Sequence, residues 1–360
     1  MPDSLEACLN DLEHRLDDVQ EQVNLAAWQR FCDGSIDEPI FVPPARRPAR
    51  PFAQWPDIHI NDAQDDIEQM VFSQFKSVSD EAAAGSNMRF CVRCNYGTGI
   101  LPSLFGCELF RMPRETCTLP TAMPHHSREK MRELVANGPP DIRSGLGARV
   151  FDCAERFLEI FKEHPKLARH VWLFHPDMQG PIDAAEVIWG SDIFLAFYDE
   201  PELLMSLLDL ITDTYIAFMR QWYAVAPASV PAVSTAAAGP YSVHWGLLHK
   251  GRLMIRNDSL MNLSPELYVE FVQPHDQRLL DEFGGGAIHF CGRGSHYIPA
   301  ISHTRGLFAI NLSQPHLNDM EAIFASTIDK GIRILDLDRG AAQAALDSGR
   351  ALRGHVHCRK

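Results

Sequence analysis

The residues best suited to chemistry stand together in the segment Ile288-His289-Phe290-Cys291-Gly292. Side chains of a β-strand alternate between its two faces, so His289 and Cys291 point to the same side of a predicted strand. An imidazole and a thiolate from one strand end supply half of a tetrahedral zinc site. The pattern therefore predicts a metal centre, with a small buried cysteine that only fills space as the alternative.

The third ligand of such a centre has to come from another part of the chain. Cys358 is the best-placed sulfur, and His355 and His357 compete with it for the same role. Three protein ligands with one open coordination position are typical of catalytic rather than structural zinc. We therefore expect His289, Cys291 and Cys358 to hold a catalytic zinc ion.

Polar residues also follow several of the other predicted strands. In a barrel of parallel strands the active site lies at the carboxyl ends of the strands, so these residues are the ones expected at the centre. Solvation of strand ends and filling of the core are the competing explanations. The residues expected to orient the substrate are Asp177, Gln179, Asp258 and His244, and those expected to line the pocket and contact the cofactor are Tyr96 and Trp245.

The elements that position these residues alternate between short apolar runs and longer helical patterns. Strands separated by helices form a parallel sheet, and about eight of them predict closure into a (β/α)8 barrel of the TIM type. Pro39–Val42 is a further short strand that could replace one of the eight. The eight predicted strands are Phe90–Asn95, His170–Asp177, Pro231–Thr235, Leu253–Arg256, Ala287–Cys291, Leu307–Asn311, Ile332–Leu337 and Leu352–Cys358.

Three helix starts are recognisable by their capping residues. Ser264 stands directly before Pro265, a pairing common at the first turn of a helix. Asp199 and Asn318 each precede a glutamate by three residues, as in a capping box. These residues predict helices that begin near positions 200, 265 and 319.

The N-terminal sixty residues differ from the rest of the chain. Residues 3–31 predict one amphipathic helix, whose apolar stripe at spacings of three and four consists of Leu5, Leu9, Leu12, Leu16, Val19 and Val23. We expect it to pack on the main domain as a lid or flank, with a helix-to-helix contact in a homodimer as the alternative. Residues 34–60, rich in proline and arginine, predict an irregular connector. We therefore expect a boundary between an N-terminal extension at residues 1–60 and a barrel domain at residues 61–360.

The composition is that of an ordinary soluble domain and excludes several classes of function. Of 360 residues, 46% are hydrophobic and 22% are charged, so a core of normal size is expected. The net charge of −14 argues against a nucleic-acid surface, which needs clustered lysine and arginine. No run approaches the ~18 consecutive apolar residues of a membrane span. The acidic start is unlike a signal peptide and the nine cysteines favour a reducing compartment, so we expect a cytoplasmic protein.

Several motifs resemble those of one superfamily, in the order in which that superfamily carries them. Asp177–Pro181 reads Asp-Met-Gln-Gly-Pro and is similar to the Asp-x-Gln-Gly-Pro segment of uroporphyrinogen-decarboxylase-like barrels. Tyr198–Glu202 resembles their Tyr-Asp-Asp-Pro-Glu helix start, and Leu263–Glu266 and His289–Gly292 follow. The resemblance covers roughly residues 90–340 and implies a (β/α) barrel.

The resemblance also implies a particular chemistry. Corrinoid-linked methyltransferases of this superfamily carry His-x-Cys and a distant cysteine that bind zinc, and His289, Cys291 and Cys358 match that pattern. The N-terminal Met-Arg-Gln-Ala-Gly-Arg segment of true decarboxylases is absent from the sequence. A zinc-dependent methyltransferase is therefore implied, moving a methyl group between a small methylated substrate or a thiol and a corrinoid (cobalamin). The corrinoid is expected on a partner protein, because this sequence has no Asp-x-His-x-x-Gly segment to bind it.

Two other functions remain open at this point. A metal-independent decarboxylase or lyase acting on a porphyrin-like or small carboxylate substrate would need a cationic pocket, and Arg93, Arg256 and Arg293 are the main arginines expected near it. A non-catalytic ligand-binding barrel would leave Cys291 as a buried core residue.

Overall fold

The computed structural model describes residues 2–226 and 241–360, as a mixed arrangement of helices and strands. The strands are β1 Ile40–Phe41, β2 Cys91–Val92, β3 Leu109–Phe110, β4 Thr121–Ala122, β5 Trp172–Leu173, β6 Tyr241–His244, β7 Leu247–Lys250, β8 Leu253–Arg256, β9 Gly286–Phe290, β10 Leu307–Leu312, β11 Arg333–Leu335 and β12 Val356–His357. The helices are α1 Leu5–Arg15, α2 Asp18–Asp33, α3 Ile60–Asp65, α4 Ile67–Ala84, α5 Ile100–Leu104, α6 Arg128–Asn137, α7 Gly147–Glu163, α8 Pro165–His170, α9 Pro181–Trp189, α10 Ile193–Asp199, α11 Pro201–Val225, α12 Pro265–Leu267, α13 Gln273–Phe283, α14 Ile298–Ile301, α15 Met320–Ser326 and α16 Arg339–Asp347.

The largest sheet has six strands, all parallel, in the order β1-β12-β11-β10-β9-β8. Its register places His289 between Arg256 on β8 and Asn311 on β10. Because parallel strands end at the same edge of a sheet, these three side chains lie at one level of that edge. The predicted strand containing His289 is therefore an interior strand of the sheet, next to the edge strand β8.

A second parallel pair joins β2 to β5, with Cys91 opposite Trp172. In residues 2–226 and 241–360, strand pairing thus forms two parallel sheets rather than the single closed eight-stranded sheet that we expected. Two hydrogen bonds between residues that follow β5 and residues of β8 connect the two parallel sheets. The backbone N–H of Gly180 donates to Arg256 O at 2.8 Å, and the Met254 N–H donates to His175 Nε2 at 3.2 Å.

The observed strands lie at the predicted positions, and most of them are shorter than predicted. Seven of the eight overlap an observed strand, and Pro231–Thr235 lies outside the described residues. The additional strand at Pro39–Val42 is also present, since Ile40–Phe41 pairs with Val356–His357. The N-terminal segment therefore contributes a strand to the main sheet.

The segment predicted as one helix over residues 3–31 forms two helices, α1 and α2. The prediction of a single continuous helix was therefore wrong. Leu16 has an extended backbone, and Asp17 begins α2 by accepting hydrogen bonds from two backbone N–H groups of its first turn. An aspartate at this position favours a new helix start over continuation. As a result Val19 and Val23, predicted to extend the apolar stripe, are 69% and 53% exposed, and Trp28 is buried instead.

Alternate residues of the strands pack in two separate apolar clusters. Ile288, Ile310 and Val356 belong to the large cluster shared with the surrounding helices. Ala287 and Ala309 belong to a smaller cluster that includes Trp28 and Phe31 of α2 and residues of the β6–β7 hairpin. By the same alternation, His289 and Asn311 lie on the side of Ala287 and Ala309.

Of the three expected helix caps, one has the predicted residue. Ser264 accepts a hydrogen bond from the Leu267 N–H at the start of α12. Asp319, rather than Asn318, caps α15, and α11 begins after Glu200 without a side-chain cap. Across the described ranges, no helix combines the length and the apolar character needed to cross a membrane.

Candidate metal centre

His289 and Cys291 meet at the carboxyl end of β9. Nε2 of His289 lies 3.4 Å from Sγ of Cys291 and 3.6 Å from Oδ1 of Asp258. The potential ligand atoms of these three residues all lie within 4.8 Å of one another. The His289 and Cys291 side chains are thus brought together as the sequence predicted. Asp258, expected to orient the substrate, lies close enough to serve as a ligand itself.

Asp258 is held in place by backbone contacts at the end of β8. The Asp258 N–H and the Ser259 N–H donate to the two carboxylate oxygens of Asp183, at 2.8 and 2.9 Å. Oδ1 of Asp258 in turn accepts the Cys291 N–H at 2.7 Å. Asp183 is buried in the first turn of α9, and burial together with the Asp258 charge raises its pKa to about 8. Asp183 is a positioning residue that sequence reasoning missed, although it lies within the motif that begins at Asp177.

The orientation of His289 is set by Asn311. Nδ1 of His289 donates to Asn311 Oδ1 at 2.5 Å, and Asn311 Nδ2 donates to Leu335 O at 2.8 Å. Because Nδ2 of Asn311 donates to Leu335 O, the amide oxygen of Asn311 must face His289 and accept a hydrogen bond from its ring. The ring proton of His289 therefore resides on Nδ1. Nε2 is therefore left with a lone pair that faces Cys291 and Asp258. Burial also lowers the pKa of His289, which favours the neutral ring that metals require.

Cys291 is half-buried beside Ser313. Its Sγ lies 3.4 Å from Ser313 Oγ, and burial raises the pKa of the thiol. A coordinated divalent cation would reverse this shift, because metal ligation deprotonates a thiol. Imidazole nitrogen, thiolate sulfur and carboxylate oxygen are all ligands that zinc accepts.

Cys358 does not join this group, which corrects the predicted ligand set. Successive strand residues face opposite sides, and Cys358 is buried in the helix-facing cluster together with Val356. His357 faces the other side, where its ring packs 4.5 Å from that of Trp28 and burial lowers its pKa to about 3. Within the chain that the structure describes, neither Cys358 nor His357 nor His355 lies among the ligand atoms gathered around His289.

Asp177 lies in an ion-pair cluster next to the metal centre. It accepts a hydrogen bond from Arg93 at 2.8 Å and forms a second ion pair with Arg256. The Arg256 guanidinium lies 4.2 Å above the Trp245 ring and donates to Nε2 of His244 at 3.1 Å. Three of the predicted residues therefore converge on one arginine. Burial lowers the pKa of Arg256 to about 9 and that of Arg93 to about 10.

The β6–β7 hairpin brings His244 and Trp245 to the centre. Trp245 and Gly246 form its two-residue turn with φ of 51° and 78°, the left-handed conformation that such turns require. For a tryptophan this conformation is unfavourable by ~1 kcal/mol or more, so packing must stabilise it. The Trp245 ring lies 5.1 Å from the His289 ring, which makes the arginine cluster and the metal centre contiguous. Burial lowers the pKa of His244 well below its usual value.

Gln179 and Tyr96 complete the predicted set. Gln179 is buried next to Gly180, whose backbone contacts Arg256 O. Tyr96 was predicted to line the pocket, and the structure places it elsewhere. It is buried in the helix-facing cluster beside Cys94 and Cys153. A tyrosine at the end of a strand can face either side of the sheet, and Tyr96 faces the apolar side that packs against the helices.

Comparison with known proteins supports the fold. The chain matches no protein-family model and no curated protein. Among solved structures, it is similar to one described as a methyltransferase from Methanosarcina mazei. The two chains are 14% identical, the similarity covers 84% of this chain and 81% of that chain, and the TM-score is 0.54. At this identity the similarity shows a shared mixed α/β fold.

Proposed function

We propose that this chain is a zinc-dependent methyltransferase. It would move a methyl group between a small methylated substrate or a thiol and a corrinoid carried by a partner protein. The observation that carries the proposal is the convergence of His289, Cys291 and Asp258 at the carboxyl ends of the adjacent parallel strands β8 and β9. The fold shared with a protein described as a methyltransferase supports the general class. The corrinoid and its carrier protein are proposed because the sequence motifs resemble those of corrinoid-linked methyltransferases.

We also propose that the eight parallel strands β1, β2, β5 and β8–β12 form one (β/α)8 barrel. The contacts Met254–His175 and Gly180–Arg256 would close it between β5 and β8. Nδ2 of Asn87 donates to Pro43 O at 3.3 Å and would link the segments next to β2 and β1. The metal centre would then stand at the mouth of the barrel, where barrel enzymes carry their active sites.

The residues present fit a catalytic zinc ion. His289 offers the Nε2 lone pair, Cys291 a thiolate and Asp258 a carboxylate oxygen, which leaves one position of a tetrahedral site for substrate. When bound, zinc would lower the pKa of a substrate thiol or act as a Lewis acid on a methylated oxygen or nitrogen. Asn311 and Asp183 would hold His289 and Asp258 in the geometry that binds it.

The arginine cluster would shape the charge beside the metal. Arg93 and Arg256 share the single carboxylate of Asp177, so the three residues keep one positive charge. That charge favours an anionic form of the substrate, such as a thiolate, next to the centre. Trp245 would cover Arg256 and exclude water from one side of the site.

Metal analysis and a methyl-transfer assay test this function. The assay uses methylcobalamin with a panel of small thiols and follows the loss of the methylcobalamin absorbance. We expect Cys291→Ser to lose one zinc per chain relative to the wild type and to slow transfer about 100-fold or more. That loss corresponds to ~3 kcal/mol of Lewis-acid stabilisation.

Cys358→Ser is the matched control, because it alters a buried cysteine outside the ligand group. It should keep both the zinc and the activity. Loss of zinc in Cys358→Ser but not in Cys291→Ser would contradict the centre proposed here. A wild-type protein that binds zinc at Cys291 but transfers no methyl group would retain the centre and overturn the function. Metal-free protein that decarboxylates a carboxylate substrate would favour the competing reaction.

A further inference from the structure

A second group of potential ligands lies between the N-terminal helix and the main body of the protein. Glu6 on α1, Glu163 at the end of α7 and His164 directly after it have potential ligand atoms within 4.8 Å of one another. The sequence separates Glu6 from the other two by more than 150 residues, so only the packing of α1 brings them together. This group is distinct from the centre at His289.

His164 is oriented as metal-binding histidines usually are. Its Nδ1 lies 3.1 Å from the Glu13 carboxylate, which also accepts the Lys166 N–H at 2.7 Å. A histidine that donates one ring N–H to a carboxylate presents the lone pair of the other nitrogen to a metal. The Glu13 carboxylate therefore assigns the proton to Nδ1 and leaves Nε2 as the ligand atom.

Nε2 of His164 is a buried polar atom that lacks a hydrogen bond within the described ranges. The residue is only 2% exposed. The Glu6 carboxylate lies 3.5 Å from Nε2 and makes no hydrogen bond to it. A buried nitrogen without a partner is unfavourable by ~1–3 kcal/mol, so a ligand that pairs with it would be stabilising.

We propose that Glu6, Glu163 and Nε2 of His164 bind a divalent transition-metal cation, with Glu13 fixing the imidazole. Imidazole with carboxylates suits zinc and its neighbours, such as cobalt, nickel and manganese, better than it suits calcium or magnesium. Ligand atoms around such an ion are ~3–3.5 Å apart, given bonds of about 2.0–2.2 Å. Glu6 and Glu163 are exposed, so their side chains can close the remaining distance by a change of rotamer.

The cation would fasten α1 to the main body of the protein. Leu9 and Leu12 already bury the apolar face of α1, while Glu6 lies one turn closer to the N-terminus. A metal bound only by the folded arrangement stabilises that arrangement by a free energy that grows with the logarithm of the free metal concentration. Removing the metal would release the first turn of α1 and leave the centre at His289 intact.

Calorimetric titration of the full-length Cys291→Ser variant with Zn²⁺ or Ni²⁺ tests the proposal, because the centre at His289 is disabled there. We expect one cation to bind per chain, and thermal unfolding to shift upward when it does. Adding Glu6→Gln and Glu163→Gln, both at exposed positions, should weaken binding at least tenfold and abolish the shift. His164→Gln should do the same.

The matched control adds Glu129→Gln and Glu270→Gln, which remove two exposed carboxylates outside the group. It should bind the cation like Cys291→Ser alone. The competing explanation is that the Glu6 and Glu13 carboxylates hold the His164 ring between them without metal. Absence of cation binding in Cys291→Ser, or equal binding in the Glu6→Gln and Glu163→Gln protein, would overturn the proposal.

Discussion

His289 has one ring nitrogen committed to Asn311 and the other facing Cys291 and Asp258. That division of roles matters more than proximity, because a free imidazole could turn either nitrogen to the metal or to neither. The neutral ring and the assigned proton together make Nε2 an available ligand. The amide of Asn311 would therefore control the affinity of the proposed metal centre through a single hydrogen bond to His289.

Replacing Asn311 by alanine should weaken zinc binding by about 10- to 100-fold, because the ring loses the acceptor that orients it. Competition with a chromogenic chelator measures the change. Asn311→Asp keeps an oxygen acceptor for Nδ1 and loses only the bond to Leu335 O. The aspartate variant should retain more of the affinity. Equal affinities for wild type and Asn311→Ala would show that Asn311 does not position His289.

Three adjacent strands bring the site together at the scale of elements. Arg256, His289 and Asn311 stand in register on β8, β9 and β10, so their spacing follows from the sheet itself. The β6–β7 hairpin adds His244 and Trp245 from outside the parallel strands. The connection between β5 and β8 is the weak point of this arrangement, since it depends on single hydrogen bonds instead of a ladder.

His175 carries one of those connections. Burial lowers its pKa to about 3, so the ring is neutral, and it donates from Nδ1 to Pro176 O while Nε2 accepts the Met254 N–H. His175→Ala should lower the free energy of unfolding by about 3 kcal/mol, from an unpaired buried N–H and a cavity. Urea unfolding followed by tryptophan fluorescence measures this. His303→Ala, at an exposed position, should change it by less than ~0.5 kcal/mol. Equal values for both variants would contradict a connecting role.

At the scale of the whole molecule, buried histidines make stability depend on pH. Burial lowers the pKa to about 3 for His175 and His357 and to about 4 for His249 and His275, and it also lowers the pKa of His244 well below its usual value. In the unfolded chain these rings titrate near 6.5. Between pH 6.5 and 4 the unfolded state therefore binds more protons, and stability falls as the pH falls.

Three buried carboxyl groups act in the opposite direction. Burial raises the pKa of Asp183 to about 8 and that of Asp276 and Glu81 to about 7. Their folded forms keep a proton that the unfolded forms release near pH 4, so stability falls as the pH rises from about 4 to 8. Below pH 6.5 the five histidines outnumber the three carboxyl groups, and above pH 6.5 the carboxyl groups have the larger effect of the two.

The unfolding free energy should therefore be greatest near pH 6.5. It should fall toward pH 4.5 by on the order of 2 kcal/mol per pH unit, and fall more gently toward pH 8. Urea unfolding of metal-free protein at a series of pH values measures the profile. Asp183→Asn should flatten the alkaline side and steepen the acidic side, because the Asp183 carboxyl acts from about pH 4 to 8. Stability that rises steadily from pH 6 to 8 would contradict these protonation states.

The sequence by itself determined the features that depend on neighbouring residues. The strand at Leu253–Arg256, the cap at Ser264 and the common side of His289 and Cys291 follow from short-range patterns, and the structure confirms them. Such patterns are reliable because helix and strand periodicity are set by the local backbone. The start of a new helix at Asp17 is also local, and a capping aspartate within the predicted helix was its available signal.

Only the tertiary structure decided which distant residues meet. Asp258 reaches His289 and Cys291 because β8 pairs with β9, whereas Cys358 turns away because it stands one residue beyond His357 on an alternating strand. Sheet order and the side chosen by the last residue of a strand depend on packing across the whole sheet, and no spacing along the chain specifies them. The approach of Glu6 to His164 has the same origin, since it exists only when α1 packs against the body of the protein.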